Sequence, residues 1–447
     1  MVWWLLGCVA DPVPSPPDSD PTSGQNVVVI VLDDVGIDKI ASYGVGPAPP
    51  TPTFDALAAQ GVRFQNAWTY PTCSPGRAAL FTGRHPRRYG IGDWIDPYAD
   101  PARLPDEEVT LPELVATAEP PWDSSLVGKW HLTTFLGEVD QAADAPGDQG
   151  FGWHEGTLGN IDNVLGPDRP DDDPGYYLWQ EDRNGDLSLH TTYATTETTD
   201  DAIARMEGMA EPWLLVVAYN AAHSPLAPPP IELVPGLSQG EATLFDAVVM
   251  ATDREMGRLV DAVPQHTSLP TAIVVWSDNG TPVNEVDASL AGRGGKGSPY
   301  ELGVRTPLVV VSPDVVEPGR TSDALVHVVD LFPTLAEWAG VKPSANDGLS
   351  LAPYLRDPAA PAQRSMVFSE AFWPNGPGPY DVNKVAVRTD TRKYVSNRGT
   401  EEFYRIGPDG LEGEALPLDG ALAPEDAAAL AEMKAFAASN TSRPFEY

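Results

Sequence analysis

A large α/β fold, with a mixed, mostly parallel central sheet flanked by helices, is what this 447-residue sequence predicts. Three observations carry it. Short β-branched apolar runs recur along the chain, helical patterns separate them, and three of the runs end on polar residues suited to chemistry. Strands alternating with helices form sheets covered on both faces, and such sheets hold their ligands at the carboxyl ends of the strands.

The elements follow in order. Asn26 to Leu32 (NVVVIVL) is continuously apolar, as a strand buried on both faces must be, and it ends in Asp33-Asp34. Thr51-Pro52 opens a helix that Gly61 closes. Further strands are predicted at Ser125 to Gly128, Trp213 to Ala218, Thr271 to Trp276 and Pro307 to Val311, with a long helix over Leu244 to Val263. Lys129 with His131, and Asp278-Asn279, follow two of these strands. After about Gly340 the pattern changes to short strand signals at Met366 to Glu370, Lys384 to Val387 and Lys393 to Ser396, then an Ala-rich helix at Pro424 to Ala438. This predicts a leader and tether over 1–24, a catalytic domain over 25–340, and a smaller C-terminal α+β subdomain over 341–447 with an antiparallel sheet and terminal helix.

Composition narrows the function. The formal net charge of −36 repels polyphosphate at long range, which argues against a nucleic-acid partner. No apolar run approaches the roughly 18 residues that a membrane-spanning helix needs. The two cysteines, Cys8 and Cys73, allow at most one disulfide. Leu5-Leu6-Gly7-Cys8 resembles a bacterial lipobox, and the Pro-, Asp- and Ser-rich stretch behind it reads as a tether. The leader is very short and holds no Lys or Arg ahead of its apolar core, so either the start codon is misassigned or Cys8 is an incidental residue. The expectation is an exported bacterial protein, periplasmic or at the cell surface, lipid-anchored through Cys8.

Asp33, Asp34, Asp278 and Asn279 offer three acids and an amide oxygen at two strand ends. Hard oxygen donors of this kind suit Ca2+, or Mg2+, better than zinc. Either pair alone is weak, because Asp and Asn are common after strands. In Thr72-Cys73-Ser74-Pro75-Gly76-Arg77, Pro75 is placed to start a helix, which leaves Cys73 at its N-terminal mouth with Arg77 one turn on. A free cysteine is usually a small buried hydrophobe. Here the whole string Cys73 to Arg84 resembles the C-x-P-x-R-x-x-L-x-T-G-R signature of the sulfatases, with Gly76 where that family often has serine.

The likeness extends along the chain. Asn26 to Gly44 is similar to the family's opening metal segment, and Thr51 to Ala67 to its next helix and turn. Gly128-Lys129-Trp130-His131 resembles the G-K-W-H motif, where extended alternation would put Lys129 and His131 on one face. Asn220 to Pro225, with Ala222 where proline is common, resembles the segment that carries His223. Ser277 to Gly280 is similar to the second metal segment, and Gly295 to Pro307, with Lys296, to the last active-site loop. The helix at Asp253 to Val260 and a turn at Asp330 to Thr334 are similar to family positions as well.

The resemblance implies an alkaline-phosphatase-like fold and a sulfuric ester hydrolase. It implies that a formylglycine-generating enzyme converts Cys73 to formylglycine. The hydrated aldehyde would attack a sulfate monoester, of a small molecule or a saccharide, and release an alcohol. His131 would then deprotonate the second hydroxyl, so that sulfate leaves as the aldehyde re-forms. Asp33, Asp34, Cys73, Asp278 and Asn279 would hold the metal, Arg77 and Lys129 the formylglycine oxygens, and Lys296 the sulfate, with protonated His223 as general acid. Fixed cations and a divalent ion suit the charge that builds on the sulfuryl and leaving oxygens.

Two other functions share much of this pattern. A phosphodiesterase or phosphonate monoester hydrolase uses the same frame, and an inactive surface binding lipoprotein would keep the fold but not every site residue. His85, His154, His190, His266 and His327 are read as structural hydrogen-bonders, and Asp171-Asp172-Asp173 as a solvated loop. Trp94, Trp153 and Trp179 are as consistent with packing as with a substrate cleft. Loops 93–106 and 160–190 are the expected seat of specificity.

Overall fold

The computed structural model describes residues 24–166, 173–236, 242–343, 345–418, 420 and 422–447. Cys8, the tether up to residue 23, Asp171 and Asp172 lie outside them.

Ten strands form the central sheet. They are β1 (Asn26–Leu32), β2 (Val62–Trp68), β3 (Asp123–Gly128), β4 (Trp153–Gly156), β5 (Trp179–Arg183), β6 (Asp186–His190), β7 (Trp213–Ala218), β8 (Thr271–Ser277), β9 (Leu308–Val311) and β10 (Arg320–His327). Their order is β10-β2-β9-β8-β1-β7-β3-β4-β5-β6. The centre, β8-β1-β7-β3-β4, is wholly parallel, while β9 at one side and β5 and β6 at the other run antiparallel to their neighbours.

Strand β1 shows why its run is unbroken. Val27, Val29 and Val31 pack into one core with Ala79 and Leu80 of the helix Cys73–Thr82, and Val28, Ile30 and Leu32 into another with Val248 and Leu259 of the helix Leu244–His266. Both faces are dry, so alternation with polar residues has no place. The second helix begins at the hydroxyl of Thr243, which accepts from Asp246 N–H, and it runs past Pro264 rather than stopping at Val263.

A second, antiparallel sheet follows: β11 (Val367–Trp373), β12 (Val382–Arg388), β13 (Arg392–Asn397), β14 (Thr400–Ile406) and β15 (Glu412–Ala415), in sequential order. The helix Pro424–Thr441 covers it through Met433 and Ala437, which pack on Phe368, Val387 and Phe403. Trp68, Val304 and Leu325 meet Val367, Ala386 and Val395 where the two sheets join.

Glu301 anchors that junction. Its carboxylate accepts from Arg388 Nη1 at 2.5 Å, Lys393 Nζ at 3.0 Å and Trp68 Nε1 at 3.3 Å, all of them buried. Burial would raise this carboxyl, but Arg388 and then Lys393 outweigh it and hold it below its ordinary value of 4.5. Its stabilising contribution is therefore complete above about pH 4.5 and is lost as pH falls below that. Glu301→Gln, which takes the carboxylate from buried Arg388 and leaves Lys393 paired with Glu412, is expected to cost about 3–5 kcal/mol at neutral pH. Urea unfolding should show the gap to wild type narrowing in acid; a gap independent of pH would reject the ion pair as its cause.

The turn expected at Asp330 to Thr334 is helical instead. His327 and Asp330 form a capping box on the short turn Val328–Asp330, which runs on into the helix Leu331–Trp338.

Candidate active site

Three strand ends of the parallel core, β8 and β1 side by side and β3 one strand further on, converge with the N-terminus of one helix. β1 delivers Asp33 and Asp34, β8 delivers Asp278 and Asn279, and β3 delivers Lys129 and His131. The helix Cys73–Thr82 starts two residues earlier than Pro75 alone suggests. Cys73 is its first residue and Pro75 its third, where a missing N–H still breaks no helical bond. The departure at Gly76 has a local reason: a Cβ there would stand 2.7 Å from the carbonyl oxygen of Asp278. Asp34 sits in left-handed backbone with φ 66°, as does His131 with φ 59°. Lys129 and His131 therefore reach the site around a bend, and not by extended alternation.

The side chains interlock. Lys129 Nζ donates to Asp33 Oδ2 at 2.5 Å, and Arg77 Nε to Asp278 Oδ2 at 2.8 Å. Arg77 Nη2 lies 3.6 Å from Asp33 Oδ2, and Nη1 donates to the Lys129 carbonyl at 2.7 Å. Lys296 Nζ reaches Asp34 Oδ1 at 2.6 Å, and Asn279 Nδ2 donates to the same oxygen at 2.8 Å. Asp33, Asp34, Asp278, Asn279, Arg77, Lys129, His131 and Cys73 are all buried.

Three carboxylates thus face three cations. Burial would raise Asp33, but Lys129, Arg77 and Lys296 together hold it well below the carboxylate range. Burial pushes Asp34 up to about 6 despite Lys296, and raises Asp278 with help from Asp33.

The donor set fits a hard divalent cation. Asp33 Oδ1 and Asn279 Oδ1 are buried with no hydrogen-bond partner among the described residues, and Asp33, Asp34 and His223 offer ligand atoms within 4.8 Å of one another. Buried oxygens without donors are rare unless an ion or water satisfies them. An ion added to a charge-balanced cage leaves a net positive site, as an anionic ester requires.

Cys73 Sγ lies 3.2 Å from His131 Nδ1. His131 Nε2–H donates to the Ile95 carbonyl at 3.0 Å, which leaves Nδ1 as a lone pair facing Cys73. Burial, then Lys129 and Arg77, keep this imidazole neutral. Burial, then Lys296 and Lys129, keep His223 neutral too, contrary to the protonated form expected of a general acid. An acid role for His223 would require the added negative charge of a bound ester.

Sequence reasoning missed two supports. Ile95 sets the His131 tautomer through its backbone, which no side chain announces. Tyr176 donates to the carbonyls of Asn220 at 2.9 Å and His223 at 2.8 Å, holding that turn in place. Of the tryptophans, Trp94 is exposed, Trp153 half-buried and Trp179 buried. The default histidines bond structurally: His85 to Tyr70 at 2.6 Å and His154 to Asp182 at 2.8 Å, for example.

Residues 25–341 match the family model described as Sulfatase, and residues 295–412 that of N-sulphoglucosamine sulphohydrolase, C-terminal. Arylsulfatase A of Homo sapiens is 30% identical over 397 residues, which cover 82% of this chain and 74% of that protein. N-acetylgalactosamine-6-sulfatase of Homo sapiens is 30% identical over 378 residues, 78% of this chain and 67% of that protein. The crystal structure of Ps i-CgsB in complex with k-i-k-neocarrahexaose superposes with a TM-score of 0.77 at 24% identity, over 95% of each chain.

Proposed function

The chain belongs to the sulfatase family of sulfuric ester hydrolases, and from that premise we propose that it hydrolyses a sulfate monoester of a saccharide through a formylglycine made from Cys73. The single observation that supports this most is convergence: Asp33, Asp34, Cys73, Arg77, Lys129, His131, Asp278, Asn279 and Lys296, far apart in sequence, interlock in one buried site, with His223 close enough to share ligand geometry with Asp33 and Asp34. A binding protein without catalysis has no use for the full set.

Asp33, Asp34, Asp278 and Asn279, with the modified Cys73, would hold Ca2+ or Mg2+. The ion supplies Lewis-acid stabilisation of developing negative charge. The chain's own groups do the rest. Lys129 and Arg77 orient the formylglycine oxygens, and Lys296 binds the sulfate. His223 protonates the leaving alcohol once the ester's charge is in place, and His131 Nδ1 takes the proton that triggers sulfate release. The division into 1–24, 25–340 and 341–447, maturation by a formylglycine-generating enzyme, and export with a lipid anchor at Cys8 belong to the same proposal.

The saccharide class rests on the relatives: one is named for N-acetylgalactosamine, and one structural neighbour was solved with a neocarrahexaose. The acidic surface, net charge −36, slows encounter with polyanions, which favours short or sparsely sulfated substrates over heavily sulfated chains. Matched aryl sulfate and aryl phosphate esters give the test. Sulfate should be preferred, and a large preference for phosphate would reassign the chain to the phosphoesterases that share this frame. EDTA should abolish turnover, and Ca2+ or Mg2+ should restore it.

A further inference from the structure

Away from this site, four carboxylates gather toward the β5-β6 edge of the central sheet. Glu155 comes from β4, Glu181 from β5, and Glu197 and Asp201 lie one turn apart on the helix Ala194–Gly208. Glu155, Glu181 and Asp201 offer ligand atoms within 4.8 Å of one another, as do Glu181, His190 and Glu197. The countercharges are few. Arg183 pairs with Glu155 and, at 3.2 Å, with Glu181; His190 lies 3.3 Å from Glu181 and 2.6 Å from Glu197.

A second observation points to a ligand. Glu181 is 1% exposed, yet its Oε1 is buried without a hydrogen-bond partner among the described residues, and so is Oε2 of Glu197. Such oxygens call for an ion or a water. Asp201 and Glu155 bring further carboxylate oxygens to within 4.8 Å of Glu181.

We propose that Glu155, Glu181 and Asp201, with Glu197 beside them, bind a structural Ca2+ that ties β4 and β5 to the helix Ala194–Gly208. Carboxylate oxygens outnumber the single imidazole, which selects a hard cation over zinc. Arg183 stands in for the ion when it is absent. Its side chain is 47% exposed, so it can swing into water as the ion enters. This site does not depend on the sulfatase reading, since none of its residues touches the active site.

The experiment counts Ca2+ bound to the full chain by equilibrium dialysis, in wild type, Asp201→Asn, Glu181→Gln and Asp33→Asn. The count should fall by one in Asp201→Asn and Glu181→Gln with aryl sulfate turnover unchanged, and independently by one in Asp33→Asn. An unchanged count in Asp201→Asn and Glu181→Gln overturns the site and leaves Arg183 and His190 as the countercharges among the described residues. Tb3+ provides a readout that spares the carboxylates. Trp153 Nε1 donates to Glu155 Oε2 at 3.1 Å, so indole excitation should sensitise Tb3+ bound there. Trp153→Phe should lose most of that emission while keeping the full Ca2+ count. Should both charge variants fail to fold, unchanged emission in Trp153→Phe overturns the proposal.

Discussion

Cys73→Ala is expected to lose turnover by on the order of 10^5- to 10^6-fold, the scale seen when a covalent nucleophile is removed, while keeping its fold. Cys73 is 1% exposed and sits at the first position of its helix, with Sγ facing the lone pair of His131. Burial raises the thiol above its ordinary value of 9.0 even with Lys129 and Lys296 nearby, so the unmodified residue is a poor nucleophile where it stands. The proposed conversion to an aldehyde would resolve this, because its hydrate carries two hydroxyls in place of one thiol. The tryptic peptide Phe64 to Arg77 should then lack sulfur and two hydrogens and carry one extra oxygen. Cys73→Ser separates the two half-reactions. Its single hydroxyl can accept a sulfuryl group but cannot expel it, so the same peptide should gain one sulfate after exposure to an aryl sulfate and turnover should stop. Steady turnover by Cys73→Ser would sink the two-hydroxyl mechanism.

The sequence announces the buried centre of this fold because both faces of its strands are dry. β1 and β7 are read to the residue, and β3, β8 and β9 to within two residues at each end. The edges are different. β5 carries Gln180, Glu181, Asp182 and Arg183, and β6 carries Asp186, Ser188 and His190, so neither shows an apolar run, and both were expected only as a specificity loop. β2 and β10 were missed for a related reason: Arg63, Gln65 and Asn66 interrupt one, and Arg320 to Asp323 open the other with polar residues. The site was legible because its motifs are local strings at strand ends. What the strings did not carry is backbone: the left-handed turn at His131, the Ile95 carbonyl that sets its tautomer, and the close approach of the Asp278 carbonyl at Gly76. Charge balance was equally hidden, since Arg77, Lys129 and Lys296 find their carboxylates only once the strands are aligned.

That balance makes Arg77→Met the second large effect. Arg77 is buried, hydrogen-bonded through Nε and ion-paired through Nη2 to Asp278, and in reach of Asp33, so its loss leaves three buried carboxylates facing two cations. Stranding a buried charge costs about 3–5 kcal/mol, which urea unfolding in EDTA should register in full. The excess negative charge should also bind a divalent ion more tightly. Added Ca2+ is therefore expected to recover part of the lost stability, because a ligand that binds only the folded state stabilises it more as its affinity rises. Turnover should not recover with it. In the proposed mechanism the guanidinium is a fixed donor to the formylglycine oxygens, and removing one such donor costs on the order of 10^2- to 10^3-fold in kcat. Arg77→Lys should restore charge without the planar fork, and so return more stability than activity. If Ca2+ left the stability gap unchanged, Arg77 would not share its carboxylates with a metal. The cage of Asp33, Asp34 and Asp278 would then be an ion-pair network alone.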